Sequence, residues 1–256
     1  MPNDPKLAAE EMRRLTEARR TSYDPWWFTF DGAELTPHEV VDLLADHLSE
    51  ERIARLESVL DQRTMSLVLV VEGMVDSGNI AAMMRTAEGF GVQSFHTIDT
   101  ARRYKHSRRT SQGAEKWLDR WRWTSPTECV VDLRRQGLRI VAAHVDESAA
   151  PLGSVDFSPP TALVVGNELE GVSEEMLTLA DETVMIPING FVQSFNVSVA
   201  TALCLDAARR DRTASLGSHG DVDHETRSRL RAIWYQKSVP HARDIILRKL
   251  QDRSSV

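Results

Sequence analysis

The chain has 256 residues, of which 41% are hydrophobic and 27% are charged, and its formal net charge is −7. This length is enough for one large or two small domains with a sizeable core, and the composition is typical of a soluble globular protein. No apolar run approaches roughly 20 residues, the length that a membrane helix needs, and the first residues lack the apolar segment of a signal peptide. We therefore expect a cytoplasmic protein with no membrane partner. The spacing of Cys129 and Cys204 predicts neither a metal site nor a disulfide.

The first part of the chain, residues 1–62, is predicted to be largely helical. Thr36 stands three residues before Glu39 at the start of an apolar-periodic segment, which is the pattern of a capping box. Ser49 precedes two glutamates and a second apolar stripe, which indicates another helix start. An aromatic segment at 23–30 comes before both helices, and we expect it to pack on the body of the protein or on a second subunit.

The middle part, residues 63–212, alternates apolar strands with helical segments. Strands are predicted at 65–71, 94–98, 138–144, 162–165 and 184–188. Helices are predicted at 80–90, 126–136, 173–180 and 197–210. Because the strands are continuously apolar, we expect them to be buried on both faces, as in a parallel sheet. The order of the elements indicates an α/β doubly wound fold.

The last part, residues 213–256, begins in a segment rich in glycine, serine and aspartate and becomes amphipathic around Leu230 and Ile246. We interpret it as a linker followed by a helical tail. The sequence thus predicts a central α/β domain at 63–212 between helical N- and C-terminal extensions.

Basic residues are clustered although the net charge is negative. The clusters consist of Arg102, Arg103, Lys105, Arg108 and Arg109, followed by a basic and tryptophan-rich stretch at 116–123, and of Arg209, Arg210 and Arg212 at the end of a predicted helix. An acidic chain is not typical of RNA-binding proteins, but the distribution of charge matters more than its sum. Each cluster also has an ordinary alternative, because charge runs are usually solvated and arginines at a helix C-terminus suit the helix dipole.

Three predicted strands lead into loops or first helical turns that carry polar side chains. The first strand leads to Asn79 and to Arg85 on the following helix, and the fourth leads to Glu168. The fifth strand leads to Ser194 and Asn196. Open α/β sheets place their chemistry at such strand ends. Taken singly, the two asparagines also stand where helix caps belong, and the others suit turns or solvated surfaces.

Together these segments resemble the three motifs of the SPOUT superfamily of RNA methyltransferases, and within it the TrmH-type tRNA ribose 2′-O-methyltransferases. The motifs read Leu67-Val-Leu-Val-Val-Glu-Gly73 with Ser77-Gly-Asn79, Leu163-Val-Val-Gly-Asn-Glu-Leu-Glu-Gly171, and Phe191-Val-Gln-Ser-Phe-Asn-Val-Ser-Val199. The resemblance covers residues 50–212. It implies a parallel-sheet SPOUT fold with a C-terminal deep trefoil knot, S-adenosyl-L-methionine as cofactor, and a homodimer whose active site borrows residues from both subunits.

The resemblance also implies a role for each site residue. S-adenosylmethionine would be held through backbone groups and apolar walls by Ala143, Gly166, Ile186 and Phe195, and the last departs from the family's more usual leucine. Ser77 likewise stands where the family often has a different entry turn.

For the reaction, the resemblance implies that Arg85 contacts the target ribose and the adjacent phosphate. Because arginine stays protonated in proteins, we expect it to stabilise a developing alkoxide rather than to act as a base. Asn79, Glu168, Ser194 and Asn196 would form the polar network around it. Arginine, phosphate and water all stay open as the proton acceptor.

RNA binding would rest on local basic patches. These are Arg55, whose family counterpart is a tRNA contact, with Arg102, Arg103, Arg108 and Arg109, and with Arg209, Arg210 and Arg212. The third motif and the helical tail look most like those of enzymes that act on guanosine 18 in the D-loop of tRNA. Ribosomal RNA or another tRNA position stays an alternative, and so does a catalytically silent RNA-binding module. A generic nucleotide-binding enzyme is disfavoured, because neither a G-x-G-x-x-G nor a Walker lysine is present.

Overall fold

The computed structural model of the protein describes residues 24–74, 76–99, 113–146 and 149–254. Their contacts divide them into two compact units. The sheet unit is built from residues 64–219, and the helical unit from residues 24–63 together with 220–254. The chain segments that precede and follow the sheet unit in sequence therefore form one helical unit, which local sequence patterns did not indicate.

The strands and helices of the described residues are numbered here in the order of the chain. The strands are β1 (Thr29–Phe30), β2 (Ala33–Glu34), β3 (Leu67–Glu72), β4 (Ser94–Ile98), β5 (Asp119–Trp123), β6 (Arg139–Ala143), β7 (Ala150–Pro151), β8 (Thr161–Val165) and β9 (Glu182–Met185). The helices are α1 (Pro37–Leu44), α2 (Glu50–Leu60), α3 (Ser77–Gly89), α4 (Pro126–Arg135), α5 (Glu174–Leu179), α6 (Val197–Leu216), α7 (His224–Ser238) and α8 (Ala242–Ser254).

A parallel sheet forms the centre of the sheet unit. Its seven strands have the order β5-β4-β3-β8-β6-β9-β7, and all neighbours pair in parallel. Every residue of β3 and β8 is buried, as their continuous apolarity predicted. The parallel α/β fold is thus confirmed, while the trefoil knot stays a prediction.

Helices cover both faces of this sheet, which explains the burial of its strands. Side chains of α3 and α6, such as Met83 and Leu205, pack with Leu69 on one face. Side chains of α4 and α5, such as Leu133 and Met176, pack on the other face. Cys204 and Cys129 lie in these two layers as fully buried residues, and burial raises the pKa of both thiols.

Strand β5 was missed in the sequence, because it lies in the basic and tryptophan-rich stretch. Trp121 and Trp123 stack on His96 of β4, with ring centroids 5.9 and 6.0 Å away. The Trp123 indole N–H donates to His96 Nδ1 at 2.9 Å, and Ser94 Oγ lies 2.9 Å from Nε2. Burial lowers the pKa of His96 to about 3, so its ring is neutral near pH 7.

Side-chain caps begin several helices as the sequence predicted. Thr36, Ser49 and Ser173 each accept a hydrogen bond from the backbone N–H three residues further on, and Thr36 completes a capping box with Glu39. Asn196 caps α6 by accepting the backbone N–H of Ser198, two residues further on. These predicted caps are confirmed.

Two predicted boundaries are wrong. Asn79 does not cap α3, because Asp76 holds that position and accepts the Asn79 backbone N–H at 2.7 Å. The predicted linker at 213 starts inside α6, which continues to Leu216 and ends where Gly217 adopts a φ of +77°.

The helical unit is held by charged pairs and by aromatic packing. Glu57 of α2 accepts hydrogen bonds from Arg231 at 2.7 Å and from Arg227 at 2.9 Å, both on α7, and the bond from Arg231 is the main cause of its lowered pKa. In the described part of the aromatic segment, Pro25–Trp27 form a 3-10 turn and β1 pairs with β2 in a hairpin. Arg243 lies 4.7 Å from the Phe30 ring centroid, so this segment packs within the helical unit.

None of the described helices combines the length and the apolarity that crossing a membrane requires.

Candidate functional site

A cavity of about 380 Å³ opens at the carboxyl edge of the sheet, between the loops that follow β6, β8 and β9. Parallel strands all end at this edge, which is where open α/β sheets bind ligands. The volume falls within the range of small-molecule sites, about 300–1,000 Å³. The four residues predicted to contact a cofactor, Ala143, Gly166, Ile186 and Phe195, all line the cavity.

The cavity combines apolar walls with an acidic mouth. Val165 and Val184 add to its apolar lining, and Glu168, Glu170 and Ser194 supply polar side chains. Glu168 and Glu170 are exposed. Such a lining suits a ligand that has an apolar part and a positively charged part.

The loop from Gly166 to Gly171 owes its shape to a close backbone approach. A Cβ atom on Gly166 would lie 2.0 Å from the carbonyl carbon of Gly171, so only glycine fits. Asn167 and Gly171 exchange backbone hydrogen bonds of 3.2 and 3.0 Å. The Asn167 side chain accepts the backbone N–H groups of Leu169 at 2.9 Å and Glu170 at 2.8 Å. The loop is therefore braced from within.

A chain of hydrogen bonds joins residues from all three motifs beside the cavity. The Asn79 side-chain amide donates to Glu168 Oε1, and Asn196 Nδ2 donates to Asn79 Oδ1 at 3.3 Å. Asn196 Oδ1 also accepts the Ser198 hydroxyl at 2.5 Å and the Ser198 backbone N–H at 3.0 Å. The fold thus brings together three of the five residues predicted for the reaction.

Arg85 and Ser194 are not part of this chain. Arg85 is an exposed residue of α3, and Ser194 is an exposed residue that lines the cavity. Within the described residues, no hydrogen bond or ion pair is found for either side chain. The Arg85 guanidinium is therefore available to a ligand.

The predicted RNA contacts have different environments. Arg55 is exposed on α2 in the helical unit. Arg209 and Arg210 both pair with Asp206, at 3.1 and 2.9 Å. The predicted contacts Arg102, Arg103, Arg108 and Arg109 lie outside the described residues.

The prediction that Arg212 contacts RNA is wrong. Its side chain is 1% exposed, because it lies on the buried face of α6. The guanidinium donates to Ser66 Oγ at 2.6 Å and to the Phe157 carbonyl oxygen at 3.3 Å. Arg212 therefore braces the chain ahead of β3 and β8.

Sequence reasoning missed several residues of the site. Ser198, Asn167 and Gln193 lie inside the quoted motifs, but none was singled out, although the last two line the cavity. Asp76 could have been found from its position three residues before Asn79, which is the spacing of a helix cap. No metal-binding cluster of histidine, cysteine or acidic residues is found in the described part of the chain.

The fold and site define a parallel α/β protein with a ligand pocket at the carboxyl edge of its sheet and a polar network beside that pocket. The model of the SpoU rRNA Methylase family matches residues 66–206, and the chain belongs to that family. The family predicted from the three motifs is therefore confirmed.

Curated relatives and solved structures agree with this assignment. The chain is 35% identical over 190 residues to a tRNA (guanosine(18)-2′-O)-methyltransferase of Thermus thermophilus, covering 74% of this chain and 98% of the relative. It is 34% identical over 164 residues to the Aquifex aeolicus enzyme of the same name, covering 64% and 78%. The structure of an A. aeolicus TrmH/SpoU tRNA modifying enzyme superposes with a TM-score of 0.68 at 30% identity, covering 75% of this chain and 98% of that one.

Proposed function

We propose that this protein transfers a methyl group from S-adenosylmethionine to a ribose 2′-hydroxyl of RNA, and that its target is guanosine 18 in the D-loop of tRNA. The observation that carries the proposal is that the second and third motifs line one cavity, and that the Asn79–Glu168–Asn196 chain joins the first motif to them. The names of the relatives from T. thermophilus and A. aeolicus support the choice of target. Such a substrate also favours a cytoplasmic location.

The cavity suits S-adenosylmethionine in volume and in chemistry. Ala143, Ile186 and Phe195 would enclose the adenine, and the tight turn at Gly166 leaves backbone groups to hydrogen-bond with it. The carboxylates at the mouth would face the positive charges of the methionine part. When bound, this cofactor supplies an electrophilic methyl group.

Arg85 would act on the RNA. An exposed guanidinium can bind the phosphate next to the target ribose and stabilise negative charge on the 2′-oxygen as it loses its proton. Asn79, Glu168 and Asn196 would order the loops, so that the 2′-oxygen and the methyl group are aligned. Ser194 would contribute a hydroxyl group at the cavity.

The sheet unit would carry the reaction, and exposed arginines would hold the RNA backbone. Arg55, Arg209, Arg210 and the 102–109 cluster are the candidates. Arg209 and Arg210 share Asp206, but each uses one nitrogen for that pair and is partly exposed, so its other N–H groups can contact a phosphate.

We further propose that the protein is a homodimer. Phe191, Val192, Val199 and Leu203 are exposed apolar side chains in or just after the third motif. Exposed apolar patches of this kind mark interaction sites, and a second copy would cover this one. Light scattering should give the mass of a dimer, and Leu203→Asp should give a monomer. Leu216→Asp, at an exposed position near the far end of α6, is the matched control and should leave the dimer intact.

Cellular RNA tests the choice of substrate. Mapping of 2′-O-methyl groups in RNA from cells with and without the gene should show loss of the tRNA guanosine 18 signal. In cells that lack the gene, a gene that encodes the Arg85→Ala variant should not restore this signal. Loss of a ribosomal RNA signal instead would favour the alternative substrate, and no change in either RNA would favour the silent RNA-binding module.

A further inference from the structure

Glu72, the last residue of β3, is a buried acid that the proposed reaction leaves without a role. Its side chain is 2% exposed. Its carboxylate accepts the Ser173 backbone N–H at 3.0 Å and the Ser173 hydroxyl at 2.6 Å. Burying a carboxyl group costs stability unless hydrogen bonds replace its hydration. Because both of these bonds come from Ser173, we infer that Glu72 holds Ser173 in place.

Ser173 terminates the loop that forms one wall of the cavity. Its hydroxyl donates to Glu72 and also accepts the Met176 backbone N–H at 3.1 Å, so it caps α5 as well. Because the loop from Gly166 to Gly171 is braced by its own hydrogen bonds, we expect it to keep its internal shape. Its placement then depends on its two ends, which are β8 and Ser173.

We propose that Glu72 is a positioning residue for methyl transfer. By holding Ser173, it fixes the loop so that Glu168 stays within reach of Asn79 and the cavity keeps its wall. The β3–α3 connection and the loop are then joined twice, once by the part-buried Glu72–Ser173 bonds and once by the exposed Asn79–Glu168 bond. The Glu72 carboxylate is buried, whereas the Asn79–Glu168 bond is exposed, so the Glu72 link governs the distance. This inference rests on the proposed function, since it takes the cavity to hold S-adenosylmethionine.

Glu72→Gln is the direct test, because an amide keeps the size of the side chain but has one oxygen to accept two hydrogen bonds. Calorimetry with S-adenosylhomocysteine should show about tenfold weaker binding, as expected for the loss of one hydrogen bond to a charged group. The KM for tRNA should stay unchanged. Glu175→Gln is the matched control, since Glu175 of α5 accepts Thr127 N–H at 3.2 Å and Thr127 Oγ–H at 2.8 Å but is exposed. Its affinity should stay within about twofold of wild type.

Variants of the partner separate positioning from general stability. Ser173→Ala should weaken S-adenosylhomocysteine binding, and Ser173→Thr, which keeps a hydroxyl group, should retain it. Adding Glu72→Gln to Ser173→Ala should cost little more, because both changes break one link. If Glu72→Gln fails to fold, the Ser173→Ala and Ser173→Thr pair decides the matter.

Two results overturn the inference in distinguishable ways. Wild-type affinity in a folded Glu72→Gln variant with a lowered unfolding temperature would make Glu72 a structural residue only. A wild-type protein that binds no S-adenosylhomocysteine would instead overturn the proposed function itself.

Discussion

Gly166→Ala tests whether the cavity depends on the close backbone approach inside its loop. The new Cβ would lie 2.0 Å from the carbonyl carbon and oxygen of Gly171 and 2.3 Å from the backbone nitrogen of Val172. Ordinary contacts of a Cβ atom begin at 3.4 Å. All three atoms belong to the backbone, so no side chain can rotate away, and the loop itself has to retreat by more than 1 Å.

This displacement sets the expected magnitude. It breaks the backbone hydrogen bonds of 3.2 and 3.0 Å between Asn167 and Gly171, and it moves one wall of the cavity. Overpacking of this kind costs about 1–3 kcal/mol of folding free energy. A misplacement of about 1 Å in a site can cost roughly 100-fold in function, so we expect S-adenosylhomocysteine affinity to fall by about that factor.

Calorimetry and thermal unfolding of two glycine variants provide the assay. Gly190→Ala is the matched control, because Gly190 also lies in the motif region but a Cβ there has no atom within 4 Å. We expect it to bind S-adenosylhomocysteine within about twofold of wild type. Equal affinity in the Gly166→Ala and wild-type proteins would refute the reasoning from the backbone contact.

The remaining predictions concern the reaction, RNA binding and pH. Arg85→Ala should lower the methyl-transfer rate by about 10²–10³ with cofactor affinity intact. Arg135→Ala, which removes another exposed helix arginine, should leave the rate unchanged. Equal rates of the two variants in single-turnover assays would contradict this prediction. Replacing Arg209 and Arg210 by glutamine should weaken tRNA binding and flatten its salt dependence. The logarithm of the binding constant changes with the logarithm of the salt concentration by about −0.7 per phosphate contact in single-stranded regions. An unchanged slope would rule out these contacts. His96 has a folded-state pKa near 3 against 6.5 in the unfolded chain, so it withholds a proton that the unfolded chain binds. Above pH 6.5 this difference does not lower the free energy of unfolding. As the pH falls toward 3, the free energy of unfolding decreases by up to about 1.4 kcal/mol per pH unit. Urea unfolding of His96→Gln should lack this part of the pH dependence, and parallel curves for the two proteins would contradict it.

Much of the fold follows from patterns that are local in the sequence. The continuous apolar runs at β3 and β8 predicted buried strands, and Thr36 and Ser173 predicted helix starts, because each signal acts within a few residues. Strand β5 was not predicted, because basic residues alternating with tryptophans are typical of an exposed RNA-binding surface. In the structure, these tryptophans stack on His96 of the neighbouring strand. That contact depends on strand pairing, which the local pattern does not contain.

The site follows the same division. The order and spacing of the motifs were sufficient to select residues that line the cavity, such as Phe195, or that are hydrogen-bonded beside it, such as Asn79. Arg212 was misjudged because a run of arginines at a helix end looks exposed, and its burial depends on Ser66 and Phe157 far away in the sequence. The Glu72–Ser173 contact spans a similar distance along the chain and is visible only in three dimensions.

Methyl transfer to a defined tRNA tests the central proposal most directly. Purified protein would be incubated with methyl-labelled S-adenosylmethionine and with two tRNA molecules, one carrying guanosine at position 18 and the other 2′-deoxyguanosine. If the proposal is right, label enters the first tRNA at nucleotide 18 and is absent from the second, which lacks the accepting hydroxyl group. Equal labelling of both molecules, or labelling of neither, would contradict it.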